Sequence, residues 1–69
     1  MTRSVWINGA PRPTSAHTLS AVLDELGIGR ERAGIAVAVD GAIVTRRAWA
    51  DTPIAEGQRL EIITAQAGG

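Results

Sequence analysis

Thr18-Leu19-Ser20-Ala21-Val22-Leu23-Asp24-Glu25-Leu26-Gly27 is the stretch whose pattern decides the architecture. Leu19, Val22, Leu23 and Leu26 fall at i, i+3, i+4 and i+7, the spacing of one apolar stripe on a helix. Ser20, Asp24 and Glu25 take the other side. Thr18 stands in front as an N-cap, because its hydroxyl can accept one of the unpaired N–H groups of the first turn. Gly27 supplies the stop, since glycine enters the left-handed conformation past a helix end without steric cost. A single stripe needs a single apolar surface to cover it, so a sheet should lie on that side.

Strand signals flank the helix on both sides. Upstream, Val5-Trp6-Ile7 is a short β-type run, and Asn8-Gly9 after it is the strongest short-range hairpin signal. Ala10 to Pro13 is the return strand. Pro11 and Pro13 cannot donate to a ladder, which assigns that strand to a sheet edge. Downstream, Ile35-Ala36-Val37-Ala38-Val39 alternates large with small, placing the two alanines on one face and the larger residues on the other. Asp40-Gly41 is a second hairpin signal, and Ala42-Ile43-Val44 returns. Arg46-Arg47-Ala48-Trp49 suits a short helical turn. Thr52-Pro53 and Glu56-Gly57 punctuate a loop. Leu60-Glu61-Ile62-Ile63-Thr64 is the last strand, and Ala65-Gln66-Ala67 leads out to Gly68-Gly69.

Hairpin, helix, hairpin and final strand make an α+β chain: a mixed sheet of about five short strands with one main helix on one face. A ubiquitin-like β-grasp satisfies this order, with the first and last strands parallel and adjacent in the centre. Residues 1–67 then form the domain with its tail root, and 68–69 a separate working end.

Composition narrows the function. The chain has 69 residues, 45% of them hydrophobic, no cysteine, and tryptophan at Trp6 and Trp49 as its only aromatic residues. One small core of aliphatic side chains must hold it, with no disulfide or thiolate metal site to help. A domain this small has little room for a deep catalytic cleft. His17 is the only histidine, so there is no Cys–His pair, no cluster of metal ligands and no Ser–His–Asp set. It stands beside the helix N-cap, where a surface role suffices. Gly27-Ile28-Gly29 is too short and wrongly placed for a dinucleotide fingerprint. The chain is not expected to be an enzyme, to bind a metal or to carry a cofactor. Formal net charge is zero with no basic stripe, which argues against nucleic acid as a partner. No apolar run approaches the roughly 20 residues of a membrane span. No signal-peptide core follows Met1, so a cytoplasmic location is expected.

Gly68-Gly69 is left as the candidate working group. A chain-terminal carboxylate is ionised at neutral pH and is a poor electrophile. It must be activated, for instance by joining it to AMP. An activating enzyme must draw the tail into a narrow channel, and residues without Cβ pass with least obstruction. Gly68 also leaves the neighbouring carbonyl carbon open to an attacking sulfur.

With these residues in view, the sequence resembles the sulfur-carrier proteins of thiamine (thiazole) biosynthesis. The likeness rests on Val5-Trp6-Ile7-Asn8-Gly9, Thr18-Leu19 with Leu23 and Leu26-Gly27, and Ile35 to Val39 with Asp40-Gly41. It continues through Ile43-Val44 with Arg46 and Trp49, Gly57 with Leu60-Glu61-Ile62, and Gly68-Gly69. The resemblance implies a β-grasp fold and a carrier that performs no catalysis. It implies that Gly69 is adenylated by an enzyme related to ubiquitin activators, which uses ATP. Sulfur from a cysteine desulfurase system then replaces one oxygen, and the thiocarboxylate feeds thiazole synthase. Gly68 is the slender neighbour that threads the channel. Gln58 departs from the acidic residue usual in that family after the glycine. The small subunit of molybdopterin synthase is a sister family, usually longer and with a Phe-Pro-Pro-like segment before its glycines; this chain has no phenylalanine. A ubiquitin-like protein modifier is the other alternative. The absence of lysine excludes chains built on this protein's own lysines.

Strand alternation also suggests where partners dock. Val5 and Ile7 should point under the helix, leaving Trp6 on the open face unless a bulge turns it inward. Leu60 and Ile62 should point inward, leaving Ile63 outward. Trp6 and Ile63, flanked by Ala36 and Ala38, are expected to form a low apolar patch near the root of the tail.

Overall fold

A computed structural model describes residues 2–29 and 33–64. The sheet has five strands in the order β2-β1-β5-β3-β4. They are β1 (Arg3–Ile7), β2 (Ala10–Thr14), β3 (Ile35–Val39), β4 (Ala42–Val44) and β5 (Arg59–Thr64). Helix α1 (Leu19–Glu25) joins β2 to β3, and a 3-10 helix (Arg46–Asp51) follows β4. β1 and β5 are parallel neighbours in the centre, and the other pairings are antiparallel. This is the β-grasp arrangement that the element order predicts.

Both hairpins turn as their sequences dictate. Asn8 and Gly9 have φ of 52° and 86°, and Asp40 and Gly41 have 50° and 87°. Positive φ at both central residues gives the turn whose twist matches the flanking strands. The proline-bearing β2 lies at the sheet edge. Thr18 caps α1, its hydroxyl accepting the Ala21 N–H at 3.2 Å. The helix ends with Gly27 at φ 79°, while the N–H groups of Gly27 and Ile28 donate back to the carbonyls of Asp24 and Leu23. That pair of bonds satisfies carbonyls that a helix end otherwise leaves open.

The stripe of α1 buries Leu19, Val22 and Leu23 against Val5, Val37 and Leu60 of the three central strands. Leu26 serves as the C-cap and is half-buried. Trp49, only 1% exposed, is the largest residue of the core. Its indole N–H donates to the Val44 carbonyl at 3.1 Å, so its one polar atom is not buried unpaired. Thr14, the buried polar residue, donates from Oγ1 to Glu25 Oε1 at 2.6 Å and accepts from the Ala16 N–H at 3.0 Å. The loop before β5 is held to the start of α1: Leu19 N–H donates to the Thr52 carbonyl and Ile54 N–H to that of His17, both at 2.9 Å.

Candidate functional site

β5 is the strand from which the tail departs, and two turn side chains hold it. On one side, Asn8 Oδ1 accepts the Ile62 N–H at 2.8 Å and Asn8 Nδ2 donates to the Ile62 carbonyl at 3.2 Å. The amide thus imitates one more strand residue and extends the ladder past the end of β1. On the other side, Asp40 Oδ1 accepts the Arg59 N–H at 2.9 Å, and Oδ2 accepts from Gln58 Nε2 at 3.3 Å. Gln58 Oε1 in turn accepts the Ala55 N–H at 2.8 Å. Here the departure at Gln58 has a physical account. An amide can donate to Asp40 and accept from Ala55 together, whereas a carboxylate would face Asp40 with like charge.

The open face of the sheet has two unlike halves. Trp6 points outward and is 40% exposed, as alternation predicts. Its register partner on β5 is Arg59, whose guanidinium lies 5.8 Å from the ring centroid. These two, with Gly9, Asp40, Gly41, Leu60 and Glu61, line a cleft of about 510 Å³. Ile63, 58% exposed, lies four residues beyond Arg59 on β5, about 13 Å at the usual strand rise. It stands opposite Ala36, while Ala38 stands between Glu61 and Ile43.

Trp6 and Ile63 therefore share a face but do not form one compact patch. The parallel register sets Trp6 at the start of β5, away from the tail root. Ala36 is exposed as expected, but Ala38 is only 6% exposed. Its methyl group sits between the longer Glu61 and Ile43, which shield it. Ile43, 68% exposed, completes the apolar half with Ile63 and Ala36. Sequence reading passed it over, although its place opposite Ala38 followed from the Asp40-Gly41 hairpin. Gly68 and Gly69, with Ala65-Gln66-Ala67, lie outside the described residues. Among the described residues no three of His, Cys, Asp and Glu gather into a metal site, and no helix is long and apolar enough to cross a membrane.

The model of the ThiS family matches residues 5–69 of this chain. The chain belongs to the ThiS family. A curated relative, the "Sulfur carrier protein ThiS" of Thermus thermophilus, is 35% identical over 65 residues, covering 94% of this chain and 98% of the relative. Among solved structures, the thiamine biosynthesis protein (ThiS) from Geobacter metallireducens superposes with a TM-score of 0.78 at 20% identity, over 96% of this chain and 99% of that one. At that identity the superposition speaks for the fold. The ThiS match runs from Val5 within β1 through both hairpin turns to β5 and the residues after it.

Proposed function

We propose that this protein is a sulfur carrier of thiamine (thiazole) biosynthesis, with residues 1–67 as the body and Gly68-Gly69 as the working end. The family match through Gly69 carries the reading. The carrier is not a catalyst and binds no cofactor itself. A ubiquitin-activator-like enzyme uses ATP to join the Gly69 carboxylate to AMP, releasing pyrophosphate. A persulfide formed by a cysteine desulfurase system displaces AMP to give an acyl disulfide, and a thiol then reduces its S–S bond, leaving the thiocarboxylate and a disulfide. Thiazole synthase then takes the sulfur in the cytoplasm.

The described geometry suits this role. A carrier must present its end without deforming, and β5 is tied on one side by β3 and on the other by β1 and Asn8. Docking of the activating enzyme is assigned to the open face. Ile63, Ala36 and Ile43 offer apolar contact at the tail end, with Ala38 shielded beneath them, and Trp6 is a separate aromatic anchor. Tryptophan is a favoured anchor in interfaces. The test is the intact mass of the protein purified from cells grown with limiting thiamine. A shift equal to the replacement of one oxygen by sulfur is expected, lost on deletion of Gly69. Isopeptide conjugates in place of that shift would mark a protein modifier instead.

A further inference from the structure

The two neighbours of β5 cover it to different lengths. β3 pairs with it to the end, Ile35 opposite Thr64. β1 pairs at Trp6–Arg59 and Ile7–Leu60, and then the chain turns away at Asn8-Gly9. The hydrogen bonds show which residues of β5 face which neighbour. The carbonyls of Gln58 and Leu60 accept the N–H groups of Trp6 and Asn8, both at 2.9 Å, and the Ile62 N–H goes to Asn8 Oδ1. The Arg59 carbonyl instead accepts the Asp40 N–H at 2.7 Å. Even-numbered residues thus point their backbone groups at β1, and odd-numbered ones at β3. By the same alternation the N–H and C=O of Thr64 point to the β1 side. There β1 has already turned back, and the Asn8 amide is engaged with Ile62. Thr64 is exposed. It is an open strand position in the middle of the sheet rather than at its margin.

We propose that this open position receives an extended strand of the activating enzyme, which continues the line of β1 beyond the Asn8-Gly9 turn. The inference rests on the carrier reading, since it assigns the gripping of the tail root to backbone pairing. Unpaired strand groups are a template for another chain's strand. The occupant is a different protein because this chain's own edges are poor donors. β2 carries Pro11 and Pro13, and β4 is three residues long. Pairing at Thr64 would fix the register and direction of the chain that follows it, and exposed Ile63 beside it gives the incoming strand an apolar neighbour.

Thr64→Pro tests this directly. It removes the N–H that would meet the incoming strand and leaves the pairing of Glu61 and Ile63 with β3 intact. Extended backbone at Ile63 already suits a following proline. Against the purified activating enzyme, Thr64→Pro should weaken binding by about tenfold, as expected for a lost interfacial hydrogen bond and its carbonyl partner, with an unchanged melting temperature. Thr64→Ala, which keeps the N–H, should bind like wild type. Amide hydrogen exchange on the wild-type chain gives a second reading if the proline variant does not fold. The Thr64 amide should exchange freely alone and become protected when the enzyme is added. Wild-type affinity of Thr64→Pro, or a Thr64 amide that exchanges as fast in the complex, would overturn the strand inference while adenylation of the wild type keeps the carrier reading. Protection that grows with protein concentration in the absence of enzyme would assign the position to a second copy and overturn it too. Failure of the wild type to bind or be adenylated would overturn both.

Discussion

The side-chain amide of Asn8 holds the backbone of Ile62 at both its polar groups, at 2.8 Å to the N–H and 3.2 Å to the carbonyl. A turn residue thereby supplies the last rung between β1 and β5. Asn8→Gly keeps the positive φ that the turn demands and removes only the amide. Intramolecular hydrogen bonds contribute about 0.5–1.5 kcal/mol each, and glycine adds unfolded-state entropy. A loss of about 2 kcal/mol is expected, which lowers the melting temperature of a domain this size by about 8–16 °C. Thermal melts followed by circular dichroism would check it; a shift within error would remove the amide from the account of β5.

The separation of Trp6 from Ile63 makes a prediction about docking. Trp6 lies outside the core, so Trp6→Ala should cost the fold about 1 kcal/mol, chiefly its contact with Arg59. Its cost in binding to the activating enzyme should be about 2 kcal/mol or more. Ile63→Ala should weaken binding independently. Because sites more than about 10 Å apart usually add, the double variant should show the sum of the single losses. Isothermal titration of the four proteins decides between two separate contacts and one coupled patch.

Trp49 and Trp6 should report two environments in one small protein. Trp49 is enclosed by the core and hydrogen-bonded to Val44, so Trp6→Phe should leave a blue-shifted emission that moves to the red only on unfolding. Trp49→Ala removes about 3–5 kcal/mol, as large core truncations do. That is a large share of the 5–15 kcal/mol typical of whole domains, so the variant should be unfolded near room temperature. A cooperative melt close to wild type would contradict the place of Trp49 in the core.

For the tail, Gly68→Val puts a β-branched side chain one residue from the reacting carbonyl and narrows the backbone there. Adenylation should fall sharply while the melting temperature stays constant. Pyrophosphate release assays on wild type and variant would show it. Normal adenylation would mean that the second glycine is not required for threading.

Legibility of the fold tracked how local each signal was. Thr18, the Leu19-Val22-Leu23 stripe, Gly27 and the two hairpin dipeptides each act through neighbours in sequence, and all appear where they were read. Pro11 and Pro13 located the edge because a missing donor has consequences anywhere in a sheet. The sliding position of β1 against β5 was not legible. It is set by contacts between residues some fifty positions apart, such as Asn8 with Ile62 and Ser4 N–H with Glu56 Oε1. For that reason Trp6 was expected beside Ile63 and is found beside Arg59. Ala38 was misjudged for a related reason: the bulk that covers it belongs to β4 and β5. The chemistry assigned to Gly69 is a proposal argued from the properties of a terminal carboxylate, and Gly69 lies outside the described residues.

The central position of β5 also bears on mechanics. A partner that holds the body and draws on the chain beyond Thr64 pulls along the strand axis, while the bonds to β1 and β3 run across it. Such a load is shared by many rungs at once, whereas a strand peeled sideways from a sheet edge gives way one rung at a time. If the end of this protein is threaded as proposed, the tension would meet β5 in the direction in which its pairing resists most.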